Sequence, residues 1–170
     1  MPNAPVIAVD TNVLFDLADN DEVVLDCFST ISKKFEKAPI LVLPTVIVEV
    51  TDLLDSDDPE SKSLAYTALT SLRTPWGFQP INFIPAGHGI VEETARKMRN
   101  ARLLPEDEVH DSLIIAEAGL INATILLSND SHLKDIDQNR LKKFLEECSI
   151  SCPIIFSPWK IVKEFFNSVH

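Results

Sequence analysis

The sequence predicts an α/β fold with three layers, α/β/α, around a central parallel sheet. Short apolar runs of strand length alternate with longer helical segments, which is the pattern of a parallel sheet with crossover helices. The chain has 170 residues, of which 45% are hydrophobic, and this is enough to bury one substantial core. No repeat or long linker divides the chain, so we predict one domain over residues 1–170.

Five extended segments are predicted, and all of them are short and apolar. Pro44 stops the second segment and Pro85 follows the third, while residues 75–80 between them are predicted to be irregular. The predicted segments cover residues 6–10, 40–43, 81–84, 124–128 and 153–156.

Eight helices alternate with these segments. Asp19-Asn20-Asp21 separates and caps the first two helices, and a turn at 55–59 precedes the fourth. The sixth helix ends at Gly119 or just after it. The predicted helices cover residues 12–18, 22–36, 45–54, 60–73, 88–101, 106–120, 138–147 and 158–168.

The third helix is the ambiguous element. Its β-branched residues favour a strand by propensity. Pro44 before it and Leu53-Leu54 inside it fit a helix that opens directly after a strand. We therefore predict a helix here.

Composition and charge exclude several classes of protein. The net charge of −11 argues against a broad basic platform for nucleic acid. No apolar run approaches the roughly 20 residues of a membrane helix, and the first residues lack the basic region of a signal peptide. Cys27, Cys148 and Cys152 are odd in number, which fits reduced thiols and a cytoplasmic location.

Three local basic clusters remain in this acidic chain. We interpret each cluster as an ordinary solvated helix face rather than as a set of phosphate contacts. The clusters are Lys33-Lys34 with Lys37, Arg96-Lys97-Arg99 with Arg102, and Arg140-Lys142-Lys143.

Two acids follow predicted strands. Asp10 ends the run VIAVD, and Asp130 comes three residues after Leu127. In parallel sheets, ligands gather beyond the carboxyl ends of the strands, so both acids are expected at one edge. The alternative for each acid is a helix cap or a turn.

Two further acids lie on apolar faces of predicted helices. Glu49 shares a helix face with Val46 and Leu53. Asp111 lies on the side of its helix that carries Ile114, Ile115 and Ala118, and Asp107 and Glu108 flank it. The alternative is a rim position, or a partner for a buried Arg or Lys.

Four acids at one place have a common explanation in a divalent cation. A buried charge costs several kcal/mol unless it is compensated, and clustered carboxylates raise one another's pKa. Mg²⁺ or Mn²⁺ prefers oxygen ligands and would resolve both problems. Such a site activates water and steadies the charge on a phosphodiester.

These residues resemble the PIN-domain family of metal-dependent ribonucleases, over nearly the whole chain and in order. VIAVDTNVL is similar to the family's first strand and acid, and LPTVIVEV to its second strand and second acid. DEVHDSLIIAEAGLINATILLSND resembles the acid-led helix, the strand and the Thr/Ser-x-Asp ending that follows it. PIIFSPWKIVKEF is similar to the terminal strand and helix.

The resemblance implies a PIN-like fold and hydrolysis of RNA by a metal-activated water. Carried over, the catalytic and metal-binding acids would be Asp10, Glu49, Asp111 and Asp130, with Mg²⁺ or Mn²⁺ as cofactor. Asn12 and Ser128 would orient carboxylates and waters by hydrogen bonds, with local capping as the alternative.

The chain departs from the family pattern at two histidines and in one region. His132 stands where many relatives have another acid, and we expect a solvated turn residue there rather than a ligand or a substrate contact. His110 points about 100° away from Asp111 on a helix, so we expect at most an indirect role. Region 55–80 is additional length of unassigned role.

The leading hypothesis is a metal-dependent endoribonuclease, and within it one candidate role is the toxin of a toxin–antitoxin pair similar to VapC-type proteins. Its partners would be RNA, an antitoxin that inserts a segment into the acidic site, and a second copy in a homodimer. The alternatives are a structure-specific DNA nuclease and a non-catalytic binding module. The complete set of four acids argues against the last of these.

Overall fold

The central feature of the molecule is a five-stranded, all-parallel sheet in the order β3-β2-β1-β4-β5. The structure, a computed structural model, describes residues 4–166. The predicted three-layer α/β/α class with a central parallel sheet is confirmed. The strands are β1 (Ile7–Val9), β2 (Ile40–Val42), β3 (Gln79–Pro80), β4 (Ile125–Leu127) and β5 (Ile154–Phe156).

Helices connect and cover the strands. A single 3-10 turn, Leu53–Asp55, extends the third helix. No helix among residues 4–166 is long and apolar enough to cross a bilayer. The helices are α1 (Thr11–Ala18), α2 (Glu22–Lys34), α3 (Pro44–Asp52), α4 (Pro59–Ser71), α5 (Pro85–Asn100), α6 (Val109–Leu120), α7 (Ser131–Lys134), α8 (Gln138–Glu147) and α9 (Pro158–Phe166).

Strands β1 and β4 form the centre of the core. Every residue of both strands is buried, and Ile7 is in register with Ile40 on one side and Ile125 on the other. The strand order reverses between β1 and β4, which makes their carboxyl ends a switch point where ligands bind in open α/β sheets. Asp10 directly follows β1 at this point.

The predicted extended segment 81–84 is wrong in position. The strand that pairs with β2 is Gln79–Pro80, and the Ile81 amide still donates to the Val42 carbonyl at 3.0 Å. The following helix begins at Pro85 rather than at 88, because proline fits the first helical position, where no N–H is required.

Two further helices differ from the predictions, one in its start and one in its existence. Helix α6 begins at Val109 rather than near 106, because the Glu108 amide donates to the Pro105 carbonyl in a turn. Helix α7 was not predicted, since a single turn is too short for helical periodicity to show. The predicted closing helix is present as α9, and residues 167 and 168 lie outside the described residues.

The additional region 55–80 contributes a packing helix. Helix α4 lies against α1 and α3, the two helices that follow β1 and β2. Beyond it, Trp76 and Phe78 stack with ring centroids 5.6 Å apart, and Phe78 contacts Phe28 of α2 at 5.0 Å. This region therefore supports α1, which Asp10 caps, and α3, which carries Glu49.

Two helical glycines provide a matched stability test. A Cβ at Gly119 in α6 would lie 2.5 Å from both the Ile150 Cγ2 and the Ser151 carbonyl oxygen, whereas one at Gly89 in α5 would meet nothing within 4 Å. We expect Gly119→Ala to lower the free energy of unfolding by about 2 kcal/mol through overpacking. Gly89→Ala should raise it by up to about 1 kcal/mol through helix propensity. Urea denaturation measures both, and equal effects would contradict the packing of α6 against residues 150–151.

Candidate active site

Asp10 is a buried carboxylate at the carboxyl end of β1, with 3% of its surface exposed. The Thr11 amide donates to its Oδ1 at 2.7 Å, and the Ser128 hydroxyl donates to its Oδ2 at 2.7 Å. Burial raises the pKa of Asp10 to about 6, although these two hydrogen bonds oppose the rise. Asp10 also caps α1 through its Oδ1, so the capping alternative is correct for this oxygen. Its Oδ2 forms hydrogen bonds with Ser128 and Asn12.

Asn12 and Ser128 link the ends of β1 and β4 through this carboxylate. The Asn12 amide nitrogen lies 3.2 Å from Asp10 Oδ2, and its oxygen accepts the Asn129 backbone N–H at 3.0 Å. The fully buried Ser128 hydroxyl oxygen accepts the Asp130 backbone N–H at 3.0 Å. The two side chains therefore fix the orientation of Asp10 and the path of the chain into Asp130.

Glu49 of α3 reaches the same place from another part of the chain. The Thr11 hydroxyl donates to its Oε2, and His110 Nδ1 lies 2.7 Å from its Oε1. Its helix neighbour Val46 is fully buried and Leu53 partly so, as the shared apolar face predicted. His110 thus contacts a carboxylate other than Asp111.

Asp111, in the first turn of α6, has a buried Oδ2 with no hydrogen-bond partner among the described residues. Ile114, Ile115 and Ala118, the predicted neighbours on its face, are all fully buried. Burial, together with the carboxylates of Asp130 and Asp10, raises the pKa of Asp111 to about 8. A buried acceptor without a partner is costly, so this atom requires a proton or a ligand.

Asp130 begins α7, and its Oδ1 accepts the backbone N–H of His132 at 2.7 Å. His132 is exposed, as expected of a solvated turn residue, and its Nδ1 lies 2.7 Å from Glu108 Oε1. Glu108, Asp111 and His132 each offer a ligand atom, and these atoms lie within 4.8 Å of one another. This group is a candidate cation site that shares Asp111 with the four acids predicted from the sequence.

A single cleft of about 420 Å³ collects all four acids predicted from the sequence. Two acids follow parallel strands and two lie on helices, so four separate segments of the chain supply them. Asn12 and His110 line the same cleft, and Ser128 contacts Asp10 from beneath it. The cleft is strongly anionic, and a divalent cation would favour the ionised state of its carboxylates.

Glu117 is a buried acid that the sequence analysis did not single out. Only 2% of its surface is exposed, and both of its carboxylate oxygens accept the Thr45 backbone N–H, at 3.0 and 3.1 Å. Burial raises its pKa to about 7 against the effect of these bonds. It joins α6 to the start of α3 and so fixes the helix of Glu49. The sequence signal that could have identified Glu117 is its position as an acid within the apolar run LIIAEAGL.

Comparison with known proteins supports the fold. No family model and no curated protein matches the sequence. The chain is similar to VapBC2 from Rickettsia felis bound to a promoter DNA fragment, with a TM-score of 0.60 and 15% identity over 89% of this chain and 98% of that one. It is also similar to FitAcB from Neisseria gonorrhoeae, with a TM-score of 0.55 and 14% identity over 91% and 99%.

A third structure, FitAB bound to an IR36 DNA fragment, has a TM-score of 0.54 and 15% identity over 91% of this chain and 96% of that one. VapBC and FitAB complexes contain a PIN-domain protein. The PIN-like fold predicted from the sequence is therefore confirmed. At this level of identity the likeness concerns the fold, and the chemistry depends on the cleft.

Proposed function

We propose that this PIN-fold protein is a metal-dependent endoribonuclease that hydrolyses RNA phosphodiesters with Mg²⁺ or Mn²⁺. One observation carries the proposal: four carboxylates from four separate segments line one cleft, where a buried oxygen of Asp111 lacks a protein partner. A scaffold gains nothing from this arrangement, because buried like charges lower its stability.

The donor set fits a hard divalent cation. Asp10, Glu49, Asp111 and Asp130 offer the oxygen ligands that Mg²⁺ and Mn²⁺ prefer. When bound, the cation supplies the Lewis-acid chemistry that phosphodiester hydrolysis at neutral pH requires. The imidazole of His132 beside Glu108 would add a nitrogen donor at the group that shares Asp111, and nitrogen ligands suit transition-metal ions better than Mg²⁺.

The protein residues orient these ligands. Ser128 and Asn12 hold Asp10 Oδ2 by hydrogen bonds, while Thr11 and His110 hold the two oxygens of Glu49. Such contacts to ligating groups normally change metal affinity or activity 10- to 100-fold, roughly, when they are removed. We therefore assign supporting roles to Asn12, Ser128 and His110.

Cleavage of a mixed, structured RNA pool tests the proposal. We expect cleavage with Mn²⁺ or Mg²⁺ and none with EDTA, which removes the cation, or with Asp10→Asn, which removes one of its four carboxylate ligands. Asp26→Asn removes an equal charge from an exposed position on α2 and should cleave like the wild type. Cleavage that survives Asp10→Asn would refute the role of Asp10, and failure of Mn²⁺ to bind would refute the nuclease.

We further propose that the protein is the toxin of a cytoplasmic toxin–antitoxin pair and forms a homodimer. The support is its similarity to proteins solved as VapBC and FitAB complexes. An antitoxin segment with a basic residue would complement the anionic cleft. Co-expression with the product of an adjacent gene should suppress RNA cleavage, and sedimentation should give twice the monomer mass. Unchanged cleavage on co-expression would contradict the toxin–antitoxin pair, and a monomer mass would contradict the homodimer.

A further inference from the structure

The basic residues near the start of α6 divide into two classes. Arg96 and Lys97 both pair with Glu93 on α5, at 2.8 and 3.6 Å, and form the solvated helix face that the sequence predicted. Arg99, Arg102 and Arg140 form no ion pair with any carboxylate among residues 4–166. Most other Lys and Arg residues of the described chain also form no ion pair, so it is the position of these three arginines that distinguishes them.

These three arginines meet at the loop between α5 and α6. Arg99 and Arg102 line a cavity of about 640 Å³ together with Asn100 and Glu106. Arg140 reaches the same loop from α8, where its Nη2 donates to the Ala101 carbonyl at 3.3 Å. Two basic clusters that are separate in sequence therefore form one surface, which we call the arginine surface: Arg99, Arg102 and Arg140.

Arg99 is held in place in an environment that favours an anion. Its Nη1 donates at 2.6 Å to the hydroxyl of Ser112, which is fully buried. This contact fixes the guanidinium beside the first turn of α6, where the helix dipole is positive. Its other N–H groups have no protein acceptor in the part of the chain that the structure describes. A bound anion would satisfy these donors.

Arg102 occupies a position that usually favours another residue. It lies two residues after the end of α5 and has a φ of 57°. The amide of the next residue, Leu103, donates to the Met98 carbonyl at 3.2 Å. Glycine or asparagine is preferred in this left-handed conformation, and the other non-glycine residues with positive φ among residues 4–166 are Asn20, Lys37, Asn122 and Ser149. An arginine here accepts backbone strain and places a guanidinium at the cavity.

The arginine surface and the acidic cleft are linked through the first turn of α6. Ser112, which holds Arg99, directly follows Asp111, and Glu106 lies two residues before Glu108. We propose that the arginine surface binds the phosphate backbone of the RNA strand next to the phosphodiester that is cut, an inference that rests on the proposed function. Guanidinium groups match phosphate oxygens in a bidentate manner. In a molecule of net charge −11, this surface offers a polyanion local positive charge.

Binding of labelled single-stranded RNA in EDTA tests this, with every variant made in the Asp10→Asn background so that nothing is cut. We expect Arg102→Gln and Arg140→Gln each to raise the Kd about five- to tenfold. Each variant should also reduce the slope of log K against log salt by about 0.7, the value for one phosphate on a single strand. Arg96→Gln is the matched control, since this arginine lies on α5 and pairs with Glu93; it should bind like the background protein.

Several results would overturn the inference. One is an equal Kd for Arg102→Gln, Arg140→Gln and Arg96→Gln, and another is the absence of RNA binding by the background protein. Competition by inorganic phosphate or by polyglutamate at the same charge concentration as RNA would assign the surface to free phosphate or to an acidic protein. RNA binding that depends on these arginines, in a protein that never cleaves RNA, would refute the nuclease and retain the arginine surface.

Discussion

Asp111→Asn is expected to abolish RNA cleavage and, at the same time, to raise the thermal stability of the metal-free protein. In the proposed mechanism Asp111 holds the cation, and the loss of such an acid removes several kcal/mol of transition-state stabilisation, so cleavage should fall roughly 10³-fold or more. The gain in stability arises because the carboxylate is buried with an unpaired Oδ2. An amide carries no charge and can donate to Glu108, whose carboxylate lies beside Asp111.

The pH dependence of folding determines whether Asp111→Asn raises or lowers the free energy of unfolding. The pKa of Asp111 is raised from 3.8 to about 8 in the folded protein, so between these values the unfolded chain releases a proton that the folded chain keeps. The free energy of unfolding therefore falls as the pH rises from about 4 to 8. At pH 8 we expect Asp111→Asn to gain about 1–2 kcal/mol, after allowance for the solvent that reaches this partly exposed side chain.

Melting curves in EDTA at pH 5 and pH 8 measure this effect. The gain corresponds to an increase in Tm of roughly 4 °C at pH 8, and it should shrink at pH 5. Asp26→Asn, on the exposed face of α2, should change neither Tm nor cleavage. A lower Tm for Asp111→Asn at pH 8, or cleavage close to that of the wild type, would show that Asp111 is a structural residue.

Glu117→Ala is expected to destabilise the protein by about 3 kcal/mol, whereas Glu117→Gln should retain its stability. Alanine leaves the Thr45 N–H without an acceptor, at a cost of about 1–3 kcal/mol, and adds a cavity at a site that is 2% exposed. Glutamine keeps an acceptor oxygen for Thr45. Leu43 provides no side-chain cap for α3, so nothing else compensates for the loss.

The ionisation of Glu117 separates the two variants further. Because its pKa is raised from 4.5 to about 7, the wild type loses stability as the pH rises through this interval. Glu117→Gln should flatten that part of the pH profile, and it should keep RNA cleavage because α3 and Glu49 stay in place. Urea denaturation at pH 5 and pH 8 measures the stabilities. Equal stability of the alanine and glutamine variants would exclude the role of Glu117 in anchoring α3.

The fold was largely predictable because its signals are local. Apolar runs located β1, β2, β4 and β5, and Pro44 resolved the ambiguous third helix correctly. The exception is β3, whose two residues, Gln79 and Pro80, carry no apolar pattern. Its position depends on pairing with Leu41 and Val42 of the neighbouring strand, and propensity does not contain such a contact.

Within the candidate site, the strand-end acids were the easier part. Asp10 and Asp130 follow apolar runs, and parallel topology requires the ends of β1 and β4 to be adjacent. The partners of Glu49 were not predictable in this way. His110 and Thr11 are 61 and 38 residues away from Glu49 in the chain, and only the packing of α3 against α6 and α1 brings them together.

Short segments of the sequence indicated the α/β class and the four candidate acids, because periodicity, proline positions and carboxylates at strand ends or on apolar helix faces are local properties. The PIN-like fold was expected from a family resemblance. The partners of those acids depend on the tertiary structure. It paired His132 with Glu108, left Asp111 Oδ2 unpaired and used Glu117 to hold α3. It also separated the ion-paired Arg96 from the arginine surface. Such outcomes depend on burial and on distances between remote segments, which a linear pattern does not contain.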